Sequence, residues 1–192
     1  MNIILGSQSP RRQELLRGLD IDFTVRTIDG LEEHYPDTLQ GAEIPLFLAQ
    51  QKAEAFLPTL TDNDLLITAD TIVWLNGRVY GKPANADEAR QMLRTLSGRT
   101  HEVITGVCLT SPNRQEKFSA TTQVTFAHFD EAEIDYYISK YKPFDKAGSY
   151  GVQEWIGYIG VESIAGSFYN VMGLPVQRLY NVLQNWNKTP TK

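Results

Sequence analysis

The sequence predicts an α/β fold built on a mixed sheet, and three observations carry that prediction. Segments with helical spacing of apolar residues are interleaved with strand-like apolar runs along most of the 192 residues. Asn76 and Gly77 stand between the apolar runs "TIVWL" and "RVY", the strongest short signal for an antiparallel hairpin. Two long strand-like runs, "THEVITGVCLTS" and "KFSATTQVTFAHF", are joined by "PNRQE" and read as a second strand pair.

The elements follow in order. "NIIL" predicts a short buried strand. Ser9 then suits an N-cap and Pro10 the first helical position, with Leu15, Leu16 and Leu19 on one apolar face. "DFTVRT" alternates like a strand, and "IDGLEEHYPDT" has Gly, Pro and acids without periodicity, which is a loop. A helix is expected over "AEIPLFLAQQKAEAFL". "DLLITAD" reads as a buried strand that delivers Asp70 at its end. Asn85 with Glu88 three residues later opens a helix whose face is Ala89, Met92, Leu93 and Leu96, and Gly98 stops it. Asp130 with Glu133 opens another, which Pro143 closes. The run "FDKAGSYGVQEWIGYIGVESIAGSFYNVMGLP" is rich in Gly and aromatics and reads as a long irregular segment with a functional role. After Pro175, Val176, Leu179, Tyr180 and Leu183 form the face of a last helix.

Length and composition bound the function. A chain of 192 residues with 42% hydrophobic and 21% charged residues suits one globular domain over 1–192. The formal net charge of -5 argues against a nucleic-acid partner, although a cleft in such a chain can still be locally basic. The one cysteine, Cys108, lies in the apolar run "TGVCLT" and reads as a core residue. No signal peptide and no membrane-length apolar stretch is present, so a cytoplasmic protein without a membrane partner is expected. The "NKT" sequon near the C-terminus is then a chance match. The sequence allows a homodimer without specifying one.

No Walker A pattern, dinucleotide fingerprint, zinc spacing or nucleophile elbow occurs. Polar clusters remain. Ser7, Ser9, Arg11 and Arg12 sit at a strand-to-helix turn, where backbone N–H groups, the helix dipole, hydroxyls and guanidinium forks all favour phosphate. A plain capped helix with a solvated basic turn accounts for them equally well. Asp70 in "ADT" is a carboxylate on a buried strand, either a structural acceptor or a catalytic group. Lys82 is held between Gly81 and Pro83, and Lys52 falls at the edge of a buried helix face, where snorkelling is the plain reading. "FDKAGSYGVQ" brings Asp145, Lys146, Tyr150 and Gln153 together with glycines that permit close backbone approach, and "GSFYNVMGLP" adds Ser167, Tyr169 and Asn170. Among the three histidines, His101 reads as fixing a strand end. Glu32 and Glu33 are solvated acids or oxygen donors for a hard cation.

Taken in order, "SQSPRRQELL", "LAQQKA", "ADTIVWLNGRVYGKP", "SGRTHEVITGV", "DKAGSYGVQ" and "SFYNVMGLP" resemble the Maf family of nucleoside triphosphate pyrophosphatases across nearly the whole chain. The resemblance implies an elongated α/β fold of the Maf/ITPase-like type, with flanking helices and two lobes around a central cleft. It implies metal-assisted hydrolysis of a nucleoside triphosphate to the monophosphate and diphosphate, with Mg²⁺ or Mn²⁺. By the same resemblance, Asp70 is the catalytic aspartate and Lys52 and Lys82 are cleft lysines. Ser7, Ser9 and Arg11 form the phosphate-binding turn. Glu33 shares the metal with Asp70, and Glu32 is the alternative ligand because this loop departs from the commoner Asp-Glu pattern. Arg12, Thr71 and Gln153 match the subgroup acting on dTTP and UTP, and a modified pyrimidine triphosphate is equally compatible. The family is also linked to division arrest. A nucleotide-binding regulator of division that does not turn over its ligand, and an enzyme cutting at the γ-phosphate, are the rival readings.

Overall fold

The computed structural model describes residues 1–28, 30–31 and 33–186. Local signals set the element ends. The strand β1 (Asn2–Leu5) runs into α1 (Pro10–Arg17), which starts where the Ser9 side chain accepts from the Arg12 amide and Pro10 holds the first turn. This helix returns the chain to β2 (Phe23–Val25), parallel to β1, so the expected strand at 22–27 is shorter than its alternation suggests. The helix α2 (Glu43–Phe56) then leads to β3 (Asp64–Leu75).

The sequence reading ended this strand at Asp70; instead β3 continues through Asp70 to Leu75. "DLLITAD" and "TIVWL" are one strand, and its polar residues do not terminate it because each finds a partner on the sheet or its flanking helices. The turn at Asn76 and Gly77, both at positive φ, folds β4 (Arg78–Tyr80) back on β3 as expected. Asn85 caps α3 (Ala86–Leu96). Only two residues separate β5 (Thr100–Ser111) from β6 (Arg114–Phe126), so most of "PNRQE" belongs to the strand pair itself. Asp130 and Glu133 close a reciprocal capping box on α4 (Glu131–Tyr141), and Lys142 ends it in the left-handed region ahead of Pro143.

The segment read as irregular is largely ordered. It contains a short 3₁₀ turn (Ala147–Ser149), α5 (Trp155–Gly160), β7 (Val161–Ala165) and α6 (Phe168–Met172). These elements are too short for periodicity to reveal, and β7 is stabilised by pairing with β6. The last helix, α7 (Val176–Trp186), buries Val176, Leu179, Leu183 and Trp186; Tyr180 is exposed, one position off the core stripe assigned to it.

Among the described residues the sheet has seven strands in the order β2-β1-β3-β5-β6-β7, with β4 beside β3. The register creates the feature that matters for function. Along one edge of β3, β1 pairs with positions 64–67 and β4 with positions 73–75, while β5 covers positions 66–74 on the other edge. Positions 68–72 therefore lie in a fork between β1 and β4. Side chains alternate across this stretch. Leu66, Thr68, Asp70 and Ile72 face α2, with Thr68 Oγ1 donating to the Ala49 carbonyl at 2.7 Å. Ala69 and Thr71 face the side of α1 and α6, where Leu15, Leu16, Leu174 and Leu179 pack. A third core, built on Val73, Leu93, Phe126 and Tyr137, fills the far lobe. Cys108 is buried in β5, and burial raises its thiol pKa.

His101, read as fixing a strand end, is a buried member of that far core. Its Nε2 lies 2.7 Å from the Tyr150 hydroxyl, and its ring packs on Phe126 at 5.0 Å. Burial pushes its pKa down to about 4, so the ring is neutral in the folded protein. The unfolded chain takes up a proton near 6.5, so this contribution to stability is complete above that pH and is lost as pH falls towards 4. The loss is about 3 kcal/mol. Urea unfolding at pH 7 and pH 4.5 is expected to show a smaller acid loss in His101→Gln than in the parent protein. Equal losses would remove His101 from the acid response.

Candidate active site

A cleft of about 880 Å³ opens at the fork, a size suited to a nucleotide. It brings together Ser7, Ser9, Arg11, Arg12, Glu33, Lys52, Asp70, Thr71, Lys82 and Gln153, with Asp145, Lys146 and Tyr150, while Ser167, Tyr169 and Asn170 lie outside its lining. Glu32, the alternative acid, lies outside the described residues, as does the sequon at 187–189. The cleft is basic although the chain is acidic. Its lining carries Arg11, Arg12, Lys52, Lys82 and Lys146 against Glu33, Asp70 and Asp145.

On the α2 side of β3, the Lys52 ammonium donates to Asp70 Oδ1 at 2.6 Å and lies 3.0 Å from Glu33 Oε1. Three elements meet there: the middle of β3, the third turn of α2, and the acidic loop. The snorkelling reading of Lys52 does not describe this geometry, since the ammonium points into the cleft between two carboxylates. Its seat depends on a residue the sequence reading passed over. Gly106 in β5 pairs directly with Asp70, and α2 rests on it so closely that an added Cβ would stand 2.3 Å from the Pro45 carbonyl atoms. Only glycine lets α2 approach the sheet at the level of Asp70. The signal, "TGV" inside an apolar run, becomes informative only once the register is known.

Arg12 occupies the other face. Its Nε donates to the Gly173 carbonyl at 2.9 Å and its Nη2 to Thr71 Oγ1 at 3.0 Å. Burial lowers its pKa, against the opposing pull of the Asp70 carboxylate. Gly173 is placed by α6, which Ser167 caps and Asn170 pins to the sheet. Asn170 Nδ2 donates to the Val103 and Ala120 carbonyls and to Thr122 Oγ1. Asn170 therefore holds the frame, and Tyr169 is half exposed beside it. At the first turn, Ser9 does cap α1, while Ser7 Oγ accepts from the Ser9 amide at 3.2 Å and from Arg12 at 3.5 Å. Arg11 crosses the cleft, its Nη1 donating to Asp145 Oδ2 at 2.9 Å.

The far wall is the "DKAGSYGVQ" segment. Gly148 donates to the Gly81 carbonyl at 3.0 Å, which fixes the turn carrying Lys82. Burial acts to raise the pKa of Asp145, but hydrogen bonds from Lys146 and Arg11 outweigh it and hold the carboxyl at about 2. Gln153 lies where the cleft joins an apolar recess of about 870 Å³, and its Oε1 is buried without a hydrogen-bond partner among the described residues. No helix among the described residues is long and apolar enough to cross a membrane.

The chain has close relatives among known proteins. A dTTP/UTP pyrophosphatase of Phocaeicola vulgatus is 64% identical over 182 residues, spanning 95% of this chain and 94% of its own. One from Parabacteroides distasonis is 59% identical over 184 residues, spanning 96% and 95%. Among solved structures, a HAM1 protein from Coxiella burnetii superposes with a TM-score of 0.52 at 17% identity, covering 96% of this chain and 99% of that one, which shows a shared fold. The description "Maf-like protein" matches residues 2–186, every element from β1 to α7, and the chain belongs to the Maf family.

Proposed function

We propose that the protein is a nucleoside triphosphate pyrophosphatase acting on dTTP and UTP in the cytoplasm, releasing the nucleoside monophosphate and pyrophosphate. The observation that carries this reading is the Lys52 ammonium held between Asp70 and Glu33 at the floor of a basic, nucleotide-sized cleft. The names of the close relatives supply the substrate class.

In this mechanism Asp70 accepts the proton of a water attacking the α-phosphorus. Lys52 on Oδ1 fixes the carboxylate's orientation, so that Oδ2 faces the water. The bond from the α-phosphorus to the bridging oxygen breaks, and pyrophosphate leaves with the electron pair. Lys82 and Arg11 bind the phosphate oxygens, and Ser7 and Ser9 complete the turn beside them. Arg11 exchanges Asp145 for phosphate as the substrate enters. Asp70 and Glu33 offer hard oxygens beside the Lys52 ammonium, and these two carboxylates would hold a divalent cation. Held by these carboxylates, Mg²⁺ or Mn²⁺ would offset the charge on the phosphates.

Gln153 reads the base. Its unpartnered Oε1 is an acceptor, which suits the N3–H of uracil or thymine. Arg12 is committed to Gly173 and Thr71, and so shapes the pocket rather than stacking on the ligand. Incubation with UTP or dTTP and Mg²⁺ is expected to give the monophosphate and pyrophosphate in equal amounts. Release of the diphosphate and inorganic phosphate would assign cleavage to the γ-phosphate, and binding without product would leave a regulator.

A further inference from the structure

Gln153 belongs to a short segment tied down by an unusual set of groups. The amide of Gly151 donates to the Tyr137 hydroxyl at 3.0 Å, and that hydroxyl donates to Glu154 Oε2. The other oxygen of Glu154 lies 3.1 Å from the Lys146 ammonium, which also donates to Asp145 Oδ1 at 2.8 Å. Asp145 in turn accepts from Arg11. Tyr137 is fully buried, and the Lys146 side chain is only 9% exposed. The Gly151 backbone rests on the Glu154 carboxylate, where an added Cβ would stand 2.9 Å from Cδ.

A partly buried ionic chain of this kind is a weak source of stability. What it provides is geometry. The 151–153 segment belongs to no helix or strand, and side chains from α4 and from position 154 hold it. We propose that Tyr137, Glu154 and Lys146 act as positioning residues that brace the 151–153 segment so that Gln153 meets the base. The proposal rests on the reading of Gln153 as the base-reading residue.

The test compares kcat/KM for UTP and CTP in Tyr137→Phe, with Glu154→Gln as a second variant if the first does not fold. Either substitution is expected to lower the UTP-to-CTP ratio by about tenfold, through a higher KM for UTP. A general loss of folded enzyme lowers both rates together and leaves the ratio unchanged. A folded variant that keeps the parental ratio, while Gln153→Ala loses it, overturns the brace. An unchanged ratio in Gln153→Ala overturns instead the reading of Gln153 itself.

Discussion

Asp70→Asn is expected to lower kcat on UTP by about 10²–10⁴, the usual contribution of a positioned general base. The substitution is nearly isosteric, so β3 keeps its packing and Lys52 keeps an oxygen to bind. The amide has no carboxylate to take the proton from water. Affinity for the metal-free nucleotide should survive, because Arg11 and Lys82 do not depend on the charge at position 70. Pyrophosphate release gives the rate, and calorimetric titration with UTP gives the binding. Turnover at the parental rate would remove Asp70 from the chemistry and leave the Lys52 contact as a structural ion pair.

Gly106→Ala should destabilise the fold strongly. The new Cβ would meet the backbone at Pro45 and Leu46 at 2.3–2.4 Å, where no flexible side chain can swing aside. The start of α2 must move off the sheet, with a loss of about 2–3 kcal/mol. The same displacement carries Lys52 away from Asp70, so activity falls even in molecules that remain folded. Urea denaturation should show an earlier midpoint, and kcat measured well below that midpoint should fall too. A parental midpoint would show that α2 does not depend on this close approach.

Much of this protein is legible in its sequence because the signals are local. Ser9 and Pro10, Asn76 and Gly77, Asn85 with Glu88, and Asp130 with Glu133 all act within a few residues, and each appears where expected. Most of the polar clusters singled out as candidates line one cleft, while Ser167, Tyr169 and Asn170 lie outside its lining. What sequence could not give depends on distant pairing. Asp70 looked like a strand end because Thr68, Asp70 and Thr71 are polar, yet Ala49, Lys52, Arg12 and Thr105 satisfy them from elsewhere. The 144–175 segment hid a strand and two helices too short to show a period. Gly106 gained meaning only from its register with Asp70, and Arg11 meets an aspartate 134 residues away.

The fork in the sheet has an evolutionary consequence. Asp70 and Thr71 are neighbours in the chain, yet they project to opposite faces of β3, one toward α2 and the other toward Arg12. With the roles proposed here, proton handling and base choice sit on either side of one backbone. A lineage can therefore change its substrate by substitutions behind the sheet while the hydrolytic residues in front stay untouched, and a designer can retarget the enzyme along the same division.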